Sequence, residues 1–289
     1  MTGFWYRLLL GITRCLGPWV LVAFSRFVAA GYFLFSPRRT DSQRFYAALY
    51  PDRSACFHLW CVFRQFQNFT TIHLDRFLRA QGEPIHCTSE GWEHLEAVIG
   101  RQGGVLVMSH LGNWEMAART LKEKASNLKL LLYMGVKEKE GVERAQKEEL
   151  RRAGVTIVGV GQEESDPFAA LEAIRFLRAG GLVSMTGDVV WRADQRSVRV
   201  PFLGREARLP EAPYLFSLLS GSPLFAFFVL RTGRNRYHLS LSRPIVIPPH
   251  ARQDREAALA SAAGQYAGLL EAQLRTHPFQ WYHFERFLS

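Results

Sequence analysis

The chain has 289 residues, enough for one large α/β domain or two smaller ones, and its content of 48% hydrophobic and 21% charged residues excludes a disordered protein. The 36 Lys and Arg against 26 Asp and Glu give a formal net charge of +10 at pH 7, which favours an anionic partner: nucleic acid, an anionic membrane, or a phosphorylated or acidic substrate. The four cysteines form no C-x-x-C pair and lie at no metal-like spacing from histidine, so we expect reduced thiols and no metal site.

The first predicted element is a membrane anchor. Residues 3–35 are apolar and aromatic, and the window Cys15–Phe35 contains 21 residues, where a helix needs about 20 to cross the hydrocarbon core. Arg26 lies inside this window, where a charge is costly unless its side chain reaches the interface. A second apolar run follows the small residues at which a signal peptide could be cleaved, which argues against cleavage. We therefore predict an uncleaved N-terminal membrane helix within residues 1–37, with a buried core helix as the alternative.

Two features concern the placement of this anchor. Arg7, Arg14 and Ser25 fall near one face of a helix, which favours a helix lying in the membrane interface, although a spanning helix stays open. The basic segment 36–39 places the rest of the chain on the cytoplasmic side by the positive-inside rule. We therefore expect one catalytic domain over residues 38–289, facing the cytoplasm.

An aromatic helix is predicted next. Ser54–Gly82 has amphipathic periodicity, with Phe57, Trp60, Phe63 and Phe66 three or four residues apart. Packing against the core explains such a stripe. The functional alternative is that these rings form one wall of a groove for a lipid chain.

From residue 105 onward, strand and helix patterns alternate, without a linker or an internal repeat. This alternation is typical of the α/β class, and it predicts a mixed, largely parallel sheet flanked by helices. The predicted strands are Val105–Met108, Leu128–Tyr133, Val155–Val160, Leu182–Thr186, Val198–Phe202, Leu224–Leu230 and Tyr237–Ile247. The predicted helices are Asn113–Ala125, Gly141–Ala153, Pro167–Ala179, Ala212–Ser220 and Glu256–Arg275.

The stretch VLVMSHLGNWE carries the first candidate site. It places His110 just after a strand, at the sheet edge where ligands of open α/β sheets gather. Gly112 permits a sharp turn and Asn113 can cap the next helix, in whose first turn Glu115 lies. A carboxylate there can turn back to hold one ring nitrogen of the histidine, which makes the imidazole a better general base. Ser109 points to the opposite face of the strand, so we expect the base to activate a hydroxyl of the substrate.

These residues and several later blocks carry a family resemblance. HLGNWE resembles the HxGNWE signature of the lipid A late acyltransferases, the lauroyl and myristoyl transferases of the lysophospholipid-acyltransferase-like superfamily. The order and spacing of four further blocks are similar to those of the family, although Val189 stands where many members carry Gln or His. These blocks are Gly187-Asp188, Val200–Gly204 (VPFLG), Arg208–Pro213 (RLPEAP) and Pro278–Tyr282 (PFQWY).

The resemblance implies a glycerolipid-acyltransferase-like fold and an O-acyltransferase of the bacterial inner membrane. It implies His110 and Glu115 as the catalytic pair, with Gly112, Asn113 and Asp188 at the substrate. Its expected donor is an acyl-acyl carrier protein, with acyl-CoA left open, and its expected acceptor is a lipid A precursor; no cofactor or metal is needed. The family also uses an arginine between its first two blocks, and Arg151 and Arg152 match that position, with Arg152 preferred and Arg144 left open.

A cluster of arginines forms the second candidate site. Arginine suits bidentate phosphate recognition, so a phosphorylated glycolipid headgroup or the acidic surface of acyl carrier protein would fit here, as would a basic membrane-facing loop. Arg199 and Arg208 are the predicted substrate-binding members. The cluster contains Arg192, Arg196, Arg199, Arg205 and Arg208.

The sequence features bear differently on three other functions. The same chemistry could act on another acceptor, such as a lysophospholipid, an aminolipid or a mannoside. A non-catalytic binder of membrane lipid or acyl carrier protein would have no use for the pair of His110 and Glu115. A nucleic-acid partner is not expected, because the chain has an apolar amino terminus and no recognisable reader motif.

Overall fold

The computed structural model describes residues 19–80, 84–113, 116, 120–121, 128–136, 155–161, 167–191, 194–248 and 254–288. Within these ranges the strands are β1 His86–Glu90, β2 Gly104–Met108, β3 Leu130–Val136, β4 Thr156–Gly161, β5 Leu182–Thr186, β6 Ser197–Phe202, β7 Arg205–Pro210, β8 Leu224–Gly233 and β9 Arg236–Leu241. The helices are α1 Trp19–Phe35, α2 Arg39–Leu49, α3 Ala55–Ala80, α4 Trp92–Glu96, α5 Pro167–Arg178, α6 Ala212–Ser220 and α7 Arg255–Thr276.

The described strands form a seven-stranded mixed sheet with the order β1-β9-β8-β2-β5-β3-β4. Neighbouring strands are parallel except for the antiparallel pair β8 and β9. The predicted α/β class with a mixed, largely parallel sheet flanked by helices is therefore confirmed. Strands β6 and β7 form a separate antiparallel hairpin.

The sheet separates two apolar cores, because alternate residues of a strand point to opposite faces. On β2, Val105 and Val107 pack into the core that includes α3, α6 and α7, whereas Leu106 packs into the core that includes Leu95 of α4. All four side chains are almost fully buried. A strand covered on both faces needs apolar residues at every position, which explains the continuous apolar run of β2.

The amino-terminal helices form an aromatic layer over the first of these cores. Helix α1 packs on α3 through Tyr32 against Phe66 and through Phe33 against Phe63. In the part of the chain that the structure describes, no helix has both the length and the apolar character that crossing a membrane requires. Only part of the anchor predicted within residues 1–37 lies in the described residues, and this part is helix α1.

Most predicted elements are present, and the differences concern three strands and the short helix α4, which had no predicted counterpart. The strand predicted to continue to Ile247 ends at Leu241, because Pro244 lacks an amide hydrogen and disfavours a continuing strand. Strands β1 and β7 had no predicted counterpart, since their polar and charged residues lack the apolar alternation of a half-buried strand. Most of the predicted helices Asn113–Ala125 and Gly141–Ala153 lies outside the described residues.

Candidate active site

The site begins at the carboxyl edge of two adjacent parallel strands. Strands β2 and β5 pair in register, with Met108 opposite Thr186. His110 and Asp188 each lie two residues beyond these strand ends, so the pairing of the strands brings the two side chains together. Gly187 permits this approach, because a Cβ at this position would lie 2.3 Å from a methyl carbon of Val107.

Asp188 holds both the backbone and the ring of His110. The backbone N–H of His110 donates to Oδ2 of Asp188 at 2.8 Å, and the ring Nδ1 lies 2.9 Å from Oδ1. The indole N–H of Trp281 also donates to Oδ2, at 2.9 Å. The carboxylate is fully buried, while one third of the histidine side chain is exposed. A buried carboxylate thus orients an imidazole that solvent can reach.

The charge state of this pair follows from its surroundings. Burial by itself raises the pKa of Asp188, but the charge and hydrogen bond of His110, the charge of His283 and the N–H of Trp281 outweigh burial and leave that pKa below its usual value. Asp188 is therefore ionised at neutral pH. An ionised carboxylate at Nδ1 favours the tautomer that carries its proton on that nitrogen.

The turn after His110 requires a glycine. Gly112 has a φ of +84°, and a Cβ there would lie 2.1 Å from the carbonyl oxygen of Val229. Its N–H donates to the carbonyl of Gln280 at 2.9 Å, while the N–H of Asn113 donates to the carbonyl of Val229 at 2.8 Å. These two N–H groups donate within the protein, and substrate binding by Gly112 and Asn113 stays a prediction. The predicted helix cap is confirmed, because Oδ1 of Asn113 accepts the N–H of Met116.

The QWY segment supports this turn from the other end of the chain. The side chain of Gln280 accepts from the N–H of Arg231 and donates to its carbonyl, each at 2.8 Å. Trp281 is almost fully buried and reaches Asp188, while the N–H of Tyr282 donates to the carbonyl of His110 at 2.8 Å. Consecutive residues of the motif therefore support different parts of the same site.

A buried ion pair lies next to the turn that follows His110. Asp75 of α3 accepts two hydrogen bonds from the guanidinium of Arg231, at 2.6 and 3.1 Å, and one from the hydroxyl of Tyr237 at 2.8 Å. Asp75 is 2% exposed. The amide of Asn113 lies 3.5 Å from the same hydroxyl. This network links α3, β8 and β9 to the turn that carries His110.

A cavity of about 240 Å³ has Asp188 in its lining. The hairpin supplies Arg208 to its lining, and the carboxyl-terminal tail supplies His283, Glu285 and Arg286. The ring of His283 lies edge-to-face on His110, with 5.9 Å between the ring centroids. Burial lowers the pKa of His283 more than the nearby charge of Asp188 raises it, so this imidazole is neutral at pH 7.

The structure brings some predicted site residues together and separates others. His110, Gly112, Asn113 and Asp188 lie together at the sheet edge, and Arg208 lines the adjoining cavity. Arg199 lies opposite Arg208 on the hairpin and does not line the cavity. The remaining candidates, Glu115, Arg144, Arg151, Arg152 and Arg192, lie outside the described residues. Within the described ranges, no cluster of three or more His, Cys, Asp or Glu could hold a metal ion.

Sequence reasoning left several of these residues without a role. Asp75 and Arg231 carry no motif, and only the fold brings them together. His283 belongs to no motif, and its position two residues after Trp281 is the only sequence signal for its place at the site. The resemblance noted Gln280 and Trp281 without assigning them a partner. Asp188 was assigned to the substrate, whereas its carboxylate is bonded to His110 in the structure.

Comparison with known proteins identifies a family. A family model described as bacterial lipid A biosynthesis acyltransferase matches residues 8–289, which is nearly the whole chain. The matched range contains the strand-edge site, the hairpin and the QWY segment. A search of curated proteins found no match.

Proposed function

The chain belongs to the family of bacterial lipid A biosynthesis acyltransferases, and we propose that it moves a fatty acyl chain from an acyl-acyl carrier protein to a hydroxyl of a lipid A precursor or a related glycolipid. The observation that carries the proposal is the 2.9 Å contact between Nδ1 of His110 and the buried carboxylate of Asp188. A histidine held in this way can act as a general base. The neighbouring Ser109 is buried and its hydroxyl accepts the N–H of Leu111, which supports direct attack by a substrate hydroxyl instead of by a serine.

The proposed reaction uses His110 twice. Its Nε2 takes the proton of the acceptor hydroxyl while that oxygen forms a bond to the thioester carbonyl carbon. When the tetrahedral intermediate collapses, the carbon–sulfur bond breaks and the leaving thiolate takes the proton back from Nε2. Asp188 keeps the imidazole oriented and stabilises its protonated form. Glu115 as a further partner of the histidine stays part of the proposal.

The tetrahedral oxyanion also needs a hydrogen-bond donor. The N–H groups of His110, Leu111, Gly112 and Asn113 all donate to protein acceptors, so they do not supply a ready donor. We assign this role to an arginine, with Arg152 preferred over Arg151. Charge-assisted donors aimed at a developing oxyanion are among the larger contributions to acyl transfer.

Exposed apolar side chains support association with a membrane surface. Phe24, Phe27, Leu34 and Phe35 fall within a stripe about 100° wide on α1, and each is at least half exposed. With the predicted positive-inside orientation, this helix would lie in the inner membrane interface and the site would face the cytoplasm. Both substrates carry acyl chains, so binding at the surface would bring them to the site.

The direct test is acyl transfer by the purified full chain. Acyl-acyl carrier protein or acyl-CoA is supplied with a lipid A precursor in vesicles, and mass spectrometry detects the product. We expect transfer by the wild type and almost none by H110A. The matched control is H94Q, because His94 is a partly exposed histidine on α4 that does not line the cavity beside Asp188. Equal transfer by H110A and the wild type would refute the role of His110.

Another acceptor is the second candidate function. Val189 stands next to Asp188, lines the cavity and replaces the polar residue that many members of the family carry. A changed wall beside the base is consistent with a lysophospholipid, an aminolipid or a mannoside as the acceptor. The same assay with these acceptors decides the matter, since transfer to one of them and not to the lipid A precursor would favour this alternative.

A further inference from the structure

The cavity beside Asp188 has the character of a site for a charged group. Titratable side chains form most of its lining. They are Asp188, Arg208 and the tail residues His283, Glu285 and Arg286. An acyl chain requires apolar walls, whereas this cavity is small and polar compared with ligand pockets of roughly 300 Å³ or more. Its 240 Å³ can hold a headgroup fragment.

Two positive charges line this cavity, on Arg208 and Arg286. Asp188 already accepts hydrogen bonds from His110 and Trp281, so its negative charge is engaged. Within the described residues, neither Arg208 nor Arg286 forms an ion pair with an acidic side chain. Glu285, which is exposed like Arg208 and Arg286, opposes an anion, but the two guanidinium groups outnumber this carboxylate.

The hairpin adds a second reason to expect an anion. Arg199 and Arg208 are directly opposite each other on β6 and β7, and like charges in that arrangement repel. Arg199 has a compensating contact with Glu206 at 3.9 Å, whereas Arg208 has no such partner among the described side chains. A bound anion at Arg208 would relieve this repulsion.

The backbone holds the two sides of the cavity together. Ala207 forms an antiparallel bridge with Leu288, so the tail runs beside the hairpin strand that carries Arg208. His283 lines the cavity, and its ring packs against that of His110. A group bound in the cavity would therefore lie close to the proposed general base.

We infer that this cavity binds a phosphate ester of one of the two substrates, with Arg208 and Arg286 as its ligands. The inference rests on the proposed acyl transfer and adds a recognition site to it. Two guanidinium groups suit a phosphate, because each can donate two parallel hydrogen bonds to its oxygens. The phosphate could belong to the acceptor headgroup or to the pantetheine arm of the donor.

The experiment compares matched substrates with and without phosphate. The donor arm uses the acyl thioester of 4′-phosphopantetheine against that of pantetheine, and the acceptor arm uses a phosphorylated acceptor against the same lipid after phosphatase treatment. We expect R208Q and R286Q each to raise KM about tenfold for the phosphate-bearing form in one arm, with kcat and the phosphate-free form unchanged. The arm that responds identifies the source of the phosphate. Equal effects on both forms, or no effect in either arm, would overturn the inference.

Two further variants sharpen the result. E285Q removes the opposing carboxylate and should lower the same KM a few-fold, which is the reverse of the arginine variants. R236Q is the control, because Arg236 is an exposed arginine at the start of β9 and does not line the cavity. A rise in KM with E285Q, or an equal rise with R236Q, would contradict a specific phosphate site.

A binding measurement separates this inference from the proposed function. Inorganic phosphate should raise the thermal midpoint of the wild type more than chloride of equal ionic strength, and R208Q should lose that difference. If the wild type transfers no acyl group but shows this shift, the proposed function fails while the anion site stands. If it transfers acyl groups but no variant changes KM or the shift, the anion site fails alone.

Discussion

The strand-edge site around His110 and the aromatic layer of α1 and α3 are held together by different kinds of interaction. At the site, directional hydrogen bonds converge on a few atoms, as when Asp188 accepts from the backbone N–H of His110 and from the indole N–H of Trp281. In the aromatic layer, rings such as Phe33 and Phe63 pack edge to face. Several large apolar side chains of α1 remain exposed, including Phe27 at 78%.

This difference matches what each region must do in the proposed function. A general base must be held in one orientation, and short hydrogen bonds from a buried carboxylate achieve this. A surface that meets lipid needs apolar area in no fixed geometry, because lipid chains adapt to it. Mutations at the site should therefore lower catalysis without changing membrane binding, and mutations in the aromatic layer should do the reverse.

The largest expected effect comes from breaking the contact at His110. Asp188→Asn keeps the shape of the side chain but removes the charge that orients and stabilises the imidazole, so we expect kcat to fall about 10³-fold. Binding to vesicles should not change, because α1 is untouched. Steady-state kinetics and vesicle flotation measure the two quantities. A kcat within threefold of the wild type would contradict the role of Asp188.

The next effect concerns the ion pair behind the site. Asp75→Asn leaves the guanidinium of Arg231 without its buried carboxylate, which should lower the free energy of unfolding by about 3 kcal/mol. Urea denaturation measures the change. Tyr237→Phe removes a single hydrogen bond to the same carboxylate and should cost only about 1 kcal/mol. Equal costs for the two variants would show that the ion pair is not the main contribution.

A smaller effect should be confined to the aromatic layer. Phe27→Ser removes an exposed ring from the apolar stripe of α1 and should weaken partition into anionic vesicles about tenfold, with kcat on a soluble donor unchanged. Phe168→Ser is the matched control, since Phe168 is 82% exposed but lies on α5. If both variants lose binding equally, the contact with the membrane is not specific to α1.

The smallest effect is a pH dependence of stability at His283. Its pKa is lower in the folded protein than the usual 6.5, so the unfolded chain binds the proton more readily. The stability that neutral His283 contributes to the folded protein is therefore fully present above about pH 6.5, and it is lost as the pH falls below that value. Thermal unfolding between pH 5 and 8 should show a steeper loss on the acid side for the wild type than for His283→Gln. Parallel curves would contradict this.

The fold and part of the site were predictable because their signals are local. The apolar run of β2 predicts a strand, and the proline that begins α5 predicts the start of a helix, from neighbouring residues alone. Gly112 at a turn and Asn113 as a cap are likewise local, since each satisfies the backbone within a few residues. The polar strand β7 and the early end of β9 depended instead on packing and register, which no short window contains.

By itself, the sequence determined the α/β class, the position of His110 after a strand and, through its motifs, membership of an acyltransferase family. The tertiary structure decided that the carboxylate of Asp188 is hydrogen-bonded to the histidine. Asp188 is 78 residues away in the chain, and it meets His110 only because β2 and β5 are neighbours in the sheet. It likewise joined Asp75 to Arg231, because contacts between distant segments depend on strand order and helix packing, which local patterns of residues do not encode.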